Sequence, residues 1–310
     1  MTEPLRPMST GQLLDRTFAL YRKNFMLFVG IAALGPAAYL AFQLLTIGSA
    51  ALPGATPQRS GVAIASLGIG FFVGFLVMLA GWAISQAATV RAVAAVHLGR
   101  EITIGGAYKA LRGRLWRVLG VFISVILLVG FSAAVIMLIA GVMGSLAVVG
   151  GAQAGKAGAI AGGVFAVAAA VVAALLAITI YVRYSLAIQA CVVEDLPVIA
   201  SLKRSAVLSK GARTRVLTIY FIFAILSFVI GAVLAVLATG VSTLLHSPIL
   251  AMILLYLSSF VSGSLTGPLA TIGISLLYYD ERVRKEAFDL QLMMASLDVP
   301  TPPLTAPAQI

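Results

Sequence analysis

Ten carboxylates and two imidazoles are the acid–base groups that this chain of 310 residues offers to chemistry. His97 and His246 stand far apart. Neither belongs to a metal-ligand cluster, a Ser-His-Asp set or a phosphate loop. His97 lies close to Arg100 and Glu101 and reads as a solvated surface histidine rather than a base. His246 sits in a His-Ser-Pro turn. The single cysteine, Cys191, excludes an internal disulfide and reads as a small packing residue. No catalytic constellation and no cofactor or metal site is expected.

The charged residues nearest to apolar runs are the better candidates, because ionisable groups inside a membrane span are functional by default. Arg91 and Arg183 fall at matching places, each at the end of a long apolar run. Two readings stand side by side. The arginines snorkel to lipid headgroups, or they face the bundle and pair with Glu101, Glu194 or Asp195, or bind a lipid phosphate. Gln86 and Gln189 are placed to join either arrangement. A second group, Asp280, Arg282, Arg284 and Glu286, either locks the last helix onto neighbouring segments or forms a solvated charged face.

What must position these residues is a membrane bundle. The chain is 61% hydrophobic and only 10% charged, against about 25% charged in soluble domains. Its mean hydropathy is +1.08. A soluble fold cannot bury so much apolar surface. The net charge of +11 does not point to nucleic acid, since the basic residues flank apolar runs in the manner of orientation signals and contacts to anionic lipid.

Six runs are long enough to span: 25–47, 61–90, 118–149, 157–190, 216–245 and 249–279. Pro36 is placed to kink the first. That run is also too long for a signal-peptide core, so it reads as an uncleaved span. Each pair of spans follows a short amphipathic stretch. Ser9 or Thr10 caps the first, with Leu13, Leu14, Thr17, Phe18 and Tyr21 on one face. Thr103 or Gly105 starts the second, with Tyr108, Leu111 and Leu115 on one side. Pro197 lies in the first turn of the third, with Ile199, Leu202 and Ala206 as its apolar face. A final amphipathic helix is expected over Asp280–Leu297, with Val283, Ala287, Leu290, Met294 and Leu297 along one seam. Residues 298–310 read as a disordered, Pro-rich tail. Gly70 with Gly74, and Gly158 with Gly162, match the small-xxx-small pattern of close helix packing.

With both termini placed in the cytoplasm, 19 of the 21 Lys and Arg residues fall on the inner side and only Arg59 and Lys156 outside. All ten acidic residues also fall inside. The expected fold is therefore all-α: a multi-pass protein with six transmembrane helices arranged as three hairpins, each preceded by an interfacial helix. The amphipathic starts at Ser9, Thr103 and Pro197 are 94 residues apart in each step. A single membrane domain over 1–297 would then contain quasi-repeats 9–102, 103–196 and 197–297, all in one orientation.

Three segments carry a resemblance to a known family. They are Leu5 to Phe25, Arg183-Tyr184 leading to Glu194, and Tyr278-Tyr279-Asp280-Glu281-Arg282-Val283-Arg284-Lys285-Glu286-Ala287-Phe288-Asp289-Leu290. Together they resemble the polytopic membrane domain named after bacterial glycerophosphodiester phosphodiesterases. The resemblance implies a bacterial inner-membrane protein. In fused relatives the phosphodiesterase activity belongs to a separate soluble barrel with His and carboxylates around a divalent metal. This chain has no stretch that would form one, so the activity does not transfer. The expected function is non-catalytic. A basic cytoplasmic collar would hold anionic phospholipid headgroups or join a membrane-protein complex. The alternative is a transporter or permease subunit for a lipid-like or apolar substrate.

Overall fold

A computed structural model describes residues 7–51, 61–97, 99–152, 156–244 and 246–286. Among them every regular element is a helix. In chain order these are α1 (Thr10–Lys23), α2 (Phe25–Ala32), α3 (Leu34–Ala51), α4 (Gly61–His97), α5 (Ile104–Lys109), α6 (Leu115–Ala152), α7 (Lys156–Tyr184), α8 (Ala187–Val193), α9 (Val198–Leu208), α10 (Arg213–Leu244) and α11 (Pro248–Glu286). Six stretches are long and apolar enough to cross a membrane. The protein is an all-α, multi-pass membrane protein. Spans 1 and 2 (α2–α3 with α4), 3 and 4 (α6 with α7–α8) and 5 and 6 (α10 with α11) pair as hairpins.

The three short helices α1, α5 and α9 are the interfacial elements that precede the hairpins. Ser9 caps α1 in a reciprocal pair. Its hydroxyl accepts from the Gln12 N–H at 3.3 Å, and its own N–H donates to Gln12 Oε1 at 2.8 Å. Thr103 caps α5, its hydroxyl accepting from the Gly106 N–H at 3.1 Å. Pro197 stands at the cap position of α9, one residue before the first turn where it was expected. Gly113 and Gly211 then adopt φ of +84° and +87°, two residues before α6 and α10 begin. Glycine reaches that left-handed turn without a Cβ clash.

Span 1 is broken at Ala33. Pro36 has no N–H to give the Ala32 carbonyl four residues back, so that oxygen needs another donor. The Ser85 hydroxyl of α4 lies 3.0 Å from Ala32 O and 3.2 Å from Ile31 O. The phenol of Tyr108 in α5 donates to Ile31 O at 2.5 Å. Span 6 carries Pro268 in its interior, and the phenol of Tyr21 in α1 donates to Leu265 O beside it at 2.7 Å. Span 4 breaks between Tyr184 and Ala187. There Arg183 O accepts from the hydroxyls of Ser205 (2.9 Å) and Ser209 (3.1 Å), at the end of α9. The Leu186 N–H donates to Ser205 Oγ at 3.1 Å.

These contacts follow a cyclic order. The interfacial helix of hairpin 1 satisfies a carbonyl of hairpin 3, that of hairpin 2 one of hairpin 1, and that of hairpin 3 one of hairpin 2. Burial raises the pKa of the Tyr21 and Tyr108 phenols. Both therefore remain protonated donors at neutral pH.

The buried face of α9 differs from expectation. Ile199 is 69% exposed, whereas Ser201 and Ser205 are fully buried together with Leu208. Ser205 goes inward to supply the donor and acceptor that the span-4 break lacks, whereas the Ser201 hydroxyl donates to the Leu196 and Pro197 carbonyls at the entry to α9. The expected start of a separate helix at Asp280 is also corrected. The sixth span continues unbroken through Asp280 to Glu286, because the carboxylates at that point are met by arginines and the chain has no Gly or Pro there. The remainder of the expected final helix, 287–297, and the tail 298–310 lie outside the described residues, as does the loop bearing Arg59.

Hairpin 2 shows what surrounds the bundle. The most apolar stretch of α6 is 0% buried and that of span 4 only 6%. Leu127, Phe131, Leu138 and Val164 point outward. In water this surface would be prohibitive; in lipid it costs nothing. Helices α3 and α4 approach closely, since a Cβ on Gly81 would come within 2.6 Å of Ala38 Cβ. Of the Gly70 and Gly74 pair, Gly74 packs against Phe42 and Leu45 in the same hairpin, whereas a Cβ on Gly70 would meet nothing within 4 Å.

Candidate functional site: a charged clamp beneath a basic face

The charge in the structure gathers where the last turns of α11 meet α9, α10 and the segment before α1. Asp280 and Glu281 are the most buried carboxylates there, with side chains 0% and 5% exposed. Arg215, at the start of α10, holds both. Its Nη1 lies 2.6 Å from Asp280 Oδ2 and 2.8 Å from Glu281 Oε1, and its Nη2 donates to Met8 O at 2.9 Å. Arg284 adds a second bond to Asp280 Oδ2 at 2.8 Å and reaches Met8 O at 2.7 Å. The Met8 N–H closes the ring on Asp280 Oδ1 at 2.6 Å. Lys285 pairs with Glu281 at 3.1 Å and donates to the carbonyls of Leu208 (2.6 Å) and Lys210 (2.7 Å), tying α11 to the end of α9.

A second group centres on Glu194, in the turn after α8. Arg204 of α9 donates to both its oxygens, Nε to Oε2 at 2.9 Å and Nη2 to Oε1 at 3.0 Å. The phenol of Tyr278 donates to Oε1, and Arg282 Nε lies 3.5 Å from the same atom. Glu286 completes the set, bonded to Arg204 at 2.7 Å and to Arg282 at 3.2 Å. The carboxylates raise the pKa of Arg204, with Glu286 contributing most. This arrangement of two guanidinium groups between two carboxylates links hairpins 2 and 3. Such charge-assisted bonds are the strong class.

Asp195 has φ of +56° and takes Arg114 at 3.0 Å and Arg117 at 3.2 Å. It thereby ties the α8–α9 turn to the start of α6.

The candidates from the sequence distribute as follows. Glu194, Asp280, Arg282, Arg284 and Glu286 come together in the clamp. Asp195 has its own pair of arginines. Arg91 and Arg183 have other partners than Glu101, Glu194 or Asp195. Arg91 is half-buried and reaches Val192 O at 3.4 Å, at the C-terminal end of α8. Arg183 is exposed, lying 5.7 Å from the centre of the Tyr184 ring. Glu101 is exposed in the loop before α5. Gln189 is buried, with its Oε1 unbonded among the described residues. Cys191 is a buried free thiol within α8.

His97 differs from a solvated surface group. Its ring stacks on Tyr279 at 5.2 Å and 29°, and neither nitrogen finds a hydrogen-bond partner among the described residues.

Five clamp residues are not among the site candidates from the sequence: Arg204, Arg215, Tyr278, Glu281 and Lys285, the last two lying in the same charged stretch as Asp280. Arg204 and Arg215 carried a signal, since they stand in the basic stretch between spans 4 and 5. Tyr278 gave none beyond its place in the family-like segment.

The clamp changes what the face presents outward. Of the seven described carboxylates, five (Glu194, Asp195, Asp280, Glu281 and Glu286) are occupied by arginine or lysine within the fold. Lys109, Arg112, Lys203 and Arg213 are exposed on the same side. Trp116, 85% exposed, stands among Arg112, Arg114 and Arg117, a residue type that favours the headgroup region. The outward field at this face is positive. No family model matches the chain, and no curated protein or solved structure matches it either.

Proposed function

We propose that this protein is a non-catalytic component of a bacterial inner membrane, with its termini in the cytoplasm. Its basic face would hold anionic phospholipid headgroups, by itself or within a membrane-protein complex. The observation that carries this reading is the division of charge just described. Five of the seven described carboxylates are occupied by arginine or lysine within the fold, while a set of lysines and arginines stays exposed beside a tryptophan. Each cation near an anionic surface contributes about 1 kcal/mol of attraction. The resemblance to the polytopic domain of the phosphodiesterase-type proteins belongs to the same reading.

Purified protein reconstituted in phosphatidylcholine vesicles and in vesicles containing phosphatidylglycerol provides the test. The anionic vesicles are expected to raise the thermal unfolding midpoint. Substituting Lys109, Arg112, Lys203 and Arg213 by Gln together should remove most of that rise. Equal midpoints in the two lipids would contradict the proposal.

A further inference from the structure

A second feature lies away from the clamp, inside the membrane-spanning part. Helices α3, α4, α10 and α11 leave a half-open cavity of about 520 Å³ between hairpins 1 and 3. Its wall is unusual for a lipid-embedded bundle. Ser227, Ser258, Ser259, Ser262 and Thr266 line it, with Gln43, Trp82 and Tyr256, and no charged residue contributes. Glycines supply the space. A Cβ on Gly267 would meet nothing within 4 Å, and one on Gly231 would only touch Ser262 Oγ at 3.5 Å. A smaller pocket, lined by Ser85, Gln86, Thr89 and Thr271, shares Trp82, Gly263 and Gly267 with it and carries the polar lining on along α4 and α11.

The hydroxyls define which ligand chemistry fits. Ser259 donates to Leu255 O at 3.1 Å, Thr266 to Ser262 O at 2.8 Å, and Ser258 to Leu254 O at 2.7 Å. Each hydroxyl has one hydrogen, and in these three it is committed to the helix's own backbone. What they offer to the cavity is oxygen lone pairs. Trp82, Tyr256, Ser227 and Ser262 add N–H and O–H groups to the same wall, so a hydroxyl, which both donates and accepts, matches the lining. The ligand must also be uncharged. The lining residues of α11 lie 13 to 25 positions before Asp280, about 20–38 Å along the helix at 1.5 Å per residue. No counter-ion lines the cavity at that depth, so an ionised group would lose its hydration without compensation.

The surroundings fix how such a group arrives. Phe228, on the side of α10 that carries the lining residues Gly231 and Ala235, is 76% exposed, an apolar surface suited to acyl chains. We infer that this cavity binds the uncharged, hydroxyl-bearing headgroup of a lipid. This inference is independent of the basic face, which deals with anionic headgroups elsewhere on the molecule.

Monooleoylglycerol, with two free hydroxyls, serves as the probe, trioleoylglycerol as the matched lipid without hydroxyls, and free glycerol as the headgroup alone. Retention by the full-length protein is read by native mass spectrometry from mild detergent. Monooleoylglycerol is expected to be retained, and trioleoylglycerol and glycerol about tenfold more weakly or not at all.

Gly267→Leu fills open space, and Thr266→Val keeps the shape while removing a lone-pair acceptor. Both should reduce monooleoylglycerol retention by about tenfold or more. Unchanged unfolding midpoints of the lipid-free variants would establish that the fold survives. If Gly267→Leu failed to fold, Thr266→Val would carry the test alone. Equal retention of trioleoylglycerol would overturn the inference. So would glycerol binding as tightly as the lipid, or full retention in folded variants.

Discussion

Arg215→Met is expected to cause the largest loss of stability of any single substitution in the clamp, about 3–5 kcal/mol. Arg215 is the shared partner of Asp280 and Glu281, whose side chains are 0% and 5% exposed. Methionine preserves much of the side chain's length and apolar stem but leaves two buried carboxylates short of a cation. Arg284 and Lys285 still reach them, which keeps the loss within that range rather than above it. Met8 O would also lose one of its two donors, loosening the segment that leads into α1. The measurement is equilibrium unfolding of the purified protein in mixed micelles. Asp280→Asn added to Arg215→Met should recover part of the loss, because it removes one of the stranded charges. The two effects should therefore fall short of additivity by about 1–3 kcal/mol.

Glu194→Ala is expected to follow, with a loss of about 2–4 kcal/mol. It removes the acceptor of Arg204 and of the Tyr278 phenol together, and the closest carboxylate to Arg282 besides Glu286. Glu194→Gln keeps an oxygen for Tyr278 and should cost less than the alanine. Tyr278→Phe isolates the phenol's share. A Glu194→Ala variant as stable as the parent would mean that Glu286 alone satisfies both guanidinium groups.

The spans and the starts of the interfacial helices were legible because their signals are local. Long apolar runs between basic flanks mark the six spans, and Ser9, Thr103 and Pro197 mark the entries to α1, α5 and α9. The clamp was legible only in part. Asp280, Arg282, Arg284 and Glu286 lie in one short stretch and draw attention by density of charge. Their partners do not, because Arg215 is 65 residues from Asp280 and Tyr278 is 84 from Glu194.

Pairing Arg91 and Arg183 with nearby carboxylates was a reading by proximity in sequence. The fold gives Glu194 to Arg204 and Asp195 to Arg114 and Arg117, and leaves Glu101 exposed. The inward serines of α9 were hidden for a different reason. Periodicity counts apolar residues, whereas Ser205 is buried to meet backbone groups of the span-4 break and Ser201 to meet those at the entry to α9. The serine-lined cavity was equally invisible, since single serines and glycines on separate helices have no meaning until those helices are packed.

Native mass spectrometry of the full-length protein released from mild detergent tests the basic face most directly. With phosphatidylglycerol and phosphatidylcholine supplied together, the protein is expected to retain phosphatidylglycerol preferentially. That preference should disappear when Lys109, Arg112, Lys203 and Arg213 are replaced by Gln. Retention of both lipids in the proportion supplied, or an unchanged preference in the folded quadruple variant, would contradict the role assigned to this face.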